Sequence, residues 1–181
     1  DNIDGGGGND TIYGGADGDV INGSAGIDTI YGEGGDDQID GGLDNDFIYG
    51  GDGNDKLLGR DGNDQITGGR GLDDMTGGTG ADHYIFNETP DALDRVRGFS
   101  TAENDKLVLE TDVFAFTSLV ANVNFIVGTV PGATSAVPTL LYNTANGILR
   151  YDADGTGAAA AVDVAVLVER PNLNVSDILL V

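Results

Sequence analysis

An aspartate occupies every ninth position at the start of the chain: Asp1, Asp10, Asp19, Asp28, Asp37, Asp46, Asp55, Asp64, Asp73 and Asp82. Carboxylates at a fixed interval suit one kind of chemistry, which is to line up along an edge and share cations. Two residues after each stands an apolar side chain: Ile3, Ile12, Ile21, Ile30, Ile39, Ile48, Leu57, Ile66, Met75 and Tyr84. A glycine opens every unit from Gly5 to Gly77, giving the nine-residue pattern G-G-x-G-x-D-x-U-x, in which U is apolar. A charge and a core anchor recur together through residues 5 to 85.

The elements that position these groups follow from the pattern. Each unit reads as a six-residue Gly-rich turn and a strand of three residues, whose middle side chain alone faces inward. One unit makes half a coil, because successive strands must lie on opposite sides of the core. The structural repeat is therefore expected to be a pair of units. Tyr13, Tyr31 and Tyr49 stand 18 apart and should stack on one outer face, with Asn22, Asp40 and Leu58 on the other. The expected fold is all-β: a parallel β-roll of two flattened sheets.

Such a roll cannot stand on burial alone. One aliphatic side chain per unit does not offset the loss of chain entropy. Glycine worsens the deficit, and most of the 31 glycines precede Phe86. Stacked turns about 4.8 Å apart also bring like charges side by side. Calcium fits best, taking six to eight oxygen ligands from carboxylates and carbonyls in flexible geometry. Magnesium demands a tighter octahedron, and zinc prefers His or Cys, of which the chain has one and none. The natural pairs join turns two units apart, Asp10 with Asp28 through to Asp64 with Asp82. Nine turns give about seven such sites in two columns, and Asp1 could add an eighth. An acidic, Gly-rich disordered tail would not keep an apolar residue at a fixed phase of nine. Without calcium, however, the repeats are expected to be disordered.

Units such as Gly5-Gly6-Gly7-Gly8-Asn9-Asp10-Thr11-Ile12-Tyr13 and Gly50-Gly51-Asp52-Gly53-Asn54-Asp55-Lys56-Leu57-Leu58 resemble those of the RTX, or haemolysin-type calcium-binding, family. The resemblance covers residues 1 to 85. It implies a calcium-binding parallel β-roll in which the sixth-position aspartates supply carboxylates and the turn glycines supply carbonyls. Carried over, the carboxylates are Asp10, Asp19, Asp28, Asp37, Asp46, Asp55, Asp64, Asp73 and Asp82, with Asp1 at the end. The implied carbonyls belong to Gly5, Gly8, Gly14, Gly23, Gly26, Gly32, Gly35, Gly41, Gly50, Gly53, Gly59, Gly62, Gly68, Gly71, Gly77 and Gly80. Ser24, Glu33 and Arg60 depart from the pattern at the second position, as Asp17 and Asp44 do at the fourth. Arg60 would place a competing cation beside a site.

Residues 86 to 181 hold only six glycines and carry a net charge of −7, against −16 for residues 1 to 85. Lys106–Leu109, Asn124–Val127, Thr139–Tyr142, Gly147–Tyr151 and Val162–Val168 read as strands between turns. This half is read as a β-rich cap over the last coil. The run from Asp94 to Leu107 resembles the segment that follows the last repeat in RTX proteins, with Gly98 where an acidic residue often stands. Asp152-Ala153-Asp154-Gly155-Thr156-Gly157, with Asp163 twelfth, has the outline of an EF-hand loop, but Thr156 is fifth and the twelfth residue is not Glu. A turn between two strands is the simpler reading, with Asp152 and Asp154 kept as candidate ligands.

The last residues, Asp177-Ile178-Leu179-Leu180-Val181, resemble the uncleaved C-terminal signal of proteins exported by type I secretion. The chain begins without Met and in mid-repeat, as expected of a piece of a longer polypeptide. These features point to a secreted, extracellular or cell-surface module that folds on calcium after export. Its expected partners are the type I secretion machinery and an upstream domain of the same polypeptide. The alternative is a calcium-dependent carbohydrate-binding or adhesion module that presents the tyrosine ladder to a polysaccharide. A net charge of −23 argues against nucleic acid or an anionic membrane. No H-E-x-x-H, G-x-S-x-G or P-loop motif occurs, and His83 reads as an outward strand residue, so the chain is not expected to be an enzyme.

Overall fold

The computed structural model of the protein describes residues 1–88, 92–114, 125–128, 138–153 and 161–181. The period of nine builds strands on alternate sides of a narrow core. One sheet receives β1 (Asn2–Asp4), β3 (Val20–Ala25), β5 (Gln38–Leu43), β7 (Lys56–Asp61) and β9 (Asp74–Thr79). The other receives β2 (Thr11–Gly15), β4 (Thr29–Gly34), β6 (Phe47–Asp52), β8 (Gln65–Arg70) and β10 (His83–Phe86). Neighbours within a sheet are parallel and two units out of step, as Ile30 opposite Ile48 and Ile39 opposite Leu57 illustrate. The fold is the expected parallel β-roll.

The strands are longer than the three residues expected. Most span six, because pairing resumes at the second and third residues of the following turn. Two positions of each unit face inward, the aliphatic residue and the glycine two places later, as the buried Ile48 and Gly50 of β6 show. The aliphatics form two continuous columns. In one sheet Ile12, Ile30, Ile48, Ile66 and Tyr84 lie in register, and in the other Ile3, Ile21, Ile39, Leu57 and Met75. From Ile21 onward these anchors are almost completely buried.

Both sheets cross residue 85 without a break. β11 (Asp94–Arg97) joins β9 and sets Val96 on Met75, while β12 (Lys106–Leu109) joins β10 and sets Leu107 on Tyr84. The C-terminal β17 (Ile178–Leu180) then closes the second sheet by parallel pairing with β12. On the other sheet β16 (Val162–Leu167) pairs with β11, followed by β15 (Ile148–Asp152), β14 (Thr139–Asn143) and β13 (Phe125–Gly128). β15 runs antiparallel to both its neighbours, which ends the coiling. Tyr84 marks the change of rhythm: its buried hydroxyl accepts the N–H of Gly77 at 2.8 Å and reaches the carbonyl of Arg97 at 3.3 Å. Asn124, the first residue of one expected strand, lies outside the described residues.

Ile48 is fully enclosed between identical neighbours, so Ile48→Ala leaves a cavity that a stacked column cannot close. The expected loss is about 2 to 5 kcal/mol, read by urea denaturation in saturating calcium.

Candidate metal centre

The sixth-position aspartates leave each turn and enter the edge of the core. From Asp19 to Asp82 all eight are buried, at 3 % exposure or less. Their first carboxylate oxygens tie successive coils together. The backbone N–H of Asp10 donates to Asp28 Oδ1 at 2.8 Å, Asp19 to Asp37 at 2.7 Å, Asp28 to Asp46 at 2.8 Å and Asp37 to Asp55 at 2.9 Å. The series continues from Asp46 to Asp64, Asp55 to Asp73 and Asp64 to Asp82. The pairs expected from the sequence are therefore direct neighbours along two edges. The backbone nitrogen of Asp1 contacts Asp19 Oδ1, while the Asp1 side chain is largely exposed.

The second oxygens decide what the edge can hold. Oδ2 of Asp10, Asp19, Asp28, Asp37, Asp46, Asp55, Asp64 and Asp82 is buried without a hydrogen-bond partner. Each turns toward the glycine that opens its own turn, where a carbonyl from the next coil also arrives in most cases. A Cβ on Gly23 would stand 2.5 Å from both Asp28 Oδ2 and the Gly41 carbonyl oxygen, and one on Gly5 would stand 3.0 Å from Asp10 Oδ2 and Gly23 O. Only glycine leaves that space open. Seven carboxylate–carbonyl pairs repeat this arrangement, from Asp10 with Gly23 through Gly32, Gly41, Gly50, Gly59 and Gly68 to Asp64 with Gly77. Gly14 faces Asp19 Oδ2 in the same way.

The fourth-position glycines lie farther along the turn. Gly26, Gly53, Gly62, Gly71 and Gly80 adopt positive φ and place their α-carbons against the carbonyls of Gly8, Gly35, Asp44, Gly53 and Gly62, one coil earlier. At the second position Ser24, Glu33 and Arg60 accept φ of 80°, 73° and 84°, and Asp44 accepts 77° at the fourth. Four of the five departures from the glycine pattern are thus absorbed as left-handed residues, and Asp17 is the exception. Arg60 does not compete with the edge as expected. Its guanidinium turns to the outer face and holds Asp40 at 2.6 to 3.0 Å.

Buried carboxylate oxygens lacking donors, converging with carbonyls and with no nitrogen or sulfur ligand nearby, form a hard oxygen donor set that matches calcium. Among the described residues no three His, Cys, Asp or Glu side chains gather at one point, so side chains alone do not complete a ligand sphere.

Two members of the ladder escaped the sequence reading. Asp73 donates its N–H to Asp94 Oδ1 and Asp82 donates to Asp105 Oδ1, both at 3.0 Å. These partners lie 21 and 23 residues on instead of 18, so the period of nine misses them. The signal that survives is local: Asp94-Arg95-Val96 and Asp105-Lys106-Leu107 keep the aspartate two places before an apolar anchor. Asp105 differs from the repeat aspartates because its Oδ2 accepts the N–H of Ser100 at 2.7 Å. Both its oxygens accept backbone N–H groups. The ladder on the other edge ends at β16, where Ala165 stands in register with Asp94.

The remaining candidates sit elsewhere. Gly98 donates its N–H to Glu169 at 2.9 Å, which brings an acidic group to the place where the sequence lacks one. Asp152 is buried at the end of β15, and Asp163 on the paired β16 is bound by Arg150 at 2.5 Å. Antiparallel strands thus replace the helices of an EF-hand, while Asp154, Gly155, Thr156 and Gly157 lie outside the described residues. His83 is half-buried in register with Gln65 and Lys106, and burial with the Lys106 charge lowers its pKa.

Without a cation, burial raises the aspartates far above their ordinary value near 3.8, to about 6 for Asp46 and Asp82 and about 7 for Asp55 and Asp64. Neighbouring carboxylates add to the rise, and the backbone N–H bonds oppose it. Groups whose folded pKa is raised stabilise the fold below the unfolded value and lose that contribution as pH rises through the folded one. In chelator the roll should therefore keep more β signal at pH 5 than at pH 8, by far-UV circular dichroism. Calcium affinity should run the opposite way, weakening as pH falls from 7 toward 5, because protons occupy the same oxygens.

The family model described as RTX calcium-binding nonapeptide repeat (4 copies) matches residues 1–21, 13–48 and 49–84. No curated protein matches the chain. Among solved structures, the solution structure of the AlgE6R3 subunit from the Azotobacter vinelandii mannuronan C5-epimerase is similar, with 23% identity and a TM-score of 0.47. That similarity covers 80% of this chain and 77% of the other. Residues 1–84, with their two edges of buried aspartates, belong to the RTX calcium-binding repeat family.

Proposed function

We propose that residues 1–85 are a roll that folds when calcium enters its two edges, and that residues 86–181 cap it. The single observation that carries this reading is the row of buried Oδ2 atoms with no donor. Buried charge without a partner opposes folding strongly, and a divalent ion between coils removes that opposition. The ions, about seven, would be held by Asp10, Asp19, Asp28, Asp37, Asp46, Asp55, Asp64, Asp73 and Asp82 with the turn carbonyls. When bound, calcium supplies charge neutralisation and cross-linking of adjacent coils. The chain supplies the spacing.

Scarce calcium inside a bacterial cell would keep the acidic repeats extended and fit to thread a type I secretion channel. Calcium outside would close the roll, oppose backward movement and support an upstream domain of the same polypeptide. On this reading the module works outside the cell or on its surface. The C-terminal segment fits both states, since Ile178–Leu180 forms an edge strand on β12 once folded.

The carbohydrate alternative draws less support. Tyr13, Tyr31 and Tyr49 do form the expected ladder, with ring centroids 5.0 and 4.8 Å apart and planes within 9°. Tyr31, stacked between the other two rings, has neither face left for a sugar. Of the three positive groups within the repeats, Arg60 pairs with Asp40 and Arg70 with Glu88.

A far-UV circular dichroism titration tests the reading. Calcium should produce a cooperative gain of β signal that magnesium at matched ionic strength does not. Equal signal in both, or in chelator at neutral pH, would remove the folding switch. Asp46→Ala, which touches coils on both sides, should lower the bound calcium by two ions in equilibrium dialysis, whereas Asp10→Ala should remove one.

A further inference from the structure

A second ladder runs one residue before the buried aspartates and in the opposite direction. Asn9 Oδ1 accepts the backbone N–H of Ile27 at 3.0 Å, Asp36 accepts Asn54 at 2.8 Å and Asn45 accepts Asn63 at 2.6 Å. Asn54 accepts Leu72 at 3.0 Å and Asn63 accepts Ala81 at 2.8 Å. In every case an Asx side chain at the fifth position holds the fifth-position N–H of the next coil on the same edge. Two steps lack the acceptor. Gly18 stands beneath Asp36 and Ile27 beneath Asn45, and neither has a side chain that can take the bond.

The fifth-position N–H and the fourth-position C=O belong to one planar peptide and point to opposite sides of it. Fixing the N–H therefore fixes the direction of the carbonyl. The five rungs immobilise the carbonyls of Gly26, Gly53, Gly62, Gly71 and Gly80. Those of Gly35 and Asp44 belong to the two turns without a rung. Calcium tolerates varied geometry, yet it binds more tightly where its oxygens are preorganised.

We propose that the fifth-position side chains are positioning residues that set calcium affinity, dividing the edges into two classes of site. The turn of Gly26 and the four consecutive turns from Gly53 to Gly80 form the tight class. The turns of Gly35 and Asp44 form the weak class. This rests on the calcium reading of the roll and deepens it, because the ligands alone, repeated identically, would give equal sites.

Isothermal calcium titration of the full chain tests the proposal with Ile27→Asn, Asn63→Leu and Asn63→Asp. The unaltered chain should show two phases. Ile27 is 43% exposed, so Ile27→Asn can supply the missing acceptor to Asn45 without opening the core. It should tighten the weak phase by roughly two- to tenfold, the range of one net hydrogen bond. Asn63→Leu should move sites from the tight phase to the weak one, and Asn63→Asp, which keeps the acceptor, should restore them. Calcium binding in one phase, or an unchanged weak phase in Ile27→Asn, overturns the proposal and leaves the calcium module standing. Absence of binding heat in every chain overturns the calcium reading and this inference with it.

Discussion

Like charges stacked one coil apart in a dry edge are the constraint on which the rest of this molecule depends. At a strand spacing of about 4.8 Å, two neighbouring carboxylates repel by roughly 3 kcal/mol in a protein edge of moderate polarity. That repulsion recurs along both sides of the roll. The opening glycine of each turn is glycine because the carboxylate occupies the space a Cβ would fill. The backbone N–H from the preceding coil meets one oxygen, and the other is left for a cation. Core, turn and charge are thus parts of a single arrangement, in which the aliphatic columns give shape and the edges determine whether that shape persists.

Most of this was legible in the sequence because strict periodicity converts directly into register. Once an aspartate and an isoleucine recur at nine, the two-unit coil, the two inner columns and the tyrosine stack follow from strand geometry alone. The strands proved longer than the apolar pattern implies, because glycine gives no hydropathy signal even when it faces the core, as Gly50 does. Arg60 was misread for a related reason. Its place in the turn gives no hint that a φ of 84° would swing its side chain to the outer face and Asp40.

The ladder's continuation beyond residue 85 was hidden by insertions rather than by chemistry. Asp94 and Asp105 perform the same backbone contact as the repeat aspartates, but loops of altered length break the count. Periodicity finds residues that are evenly spaced in sequence, whereas the sheet requires only that they be evenly spaced in space. The C-terminal half departs from the repeats at the ends of both edges. Asp105 has both oxygens satisfied by backbone, and Ala165 replaces a carboxylate altogether.

The uniform register of the repeats has a consequence for how the chain recognises its own alignment. Within the repeats, a strand shifted by a whole coil meets an isoleucine, a glycine and an aspartate much like those it left. Contacts of that kind are nearly degenerate and contain little information about which coil is which. The junctions of β11 and β12 break this translational symmetry, because their offsets of 21 and 23 residues differ from the constant step of the aspartate ladder before them. The irregular half of the protein thus serves as the origin from which the otherwise interchangeable coils are counted.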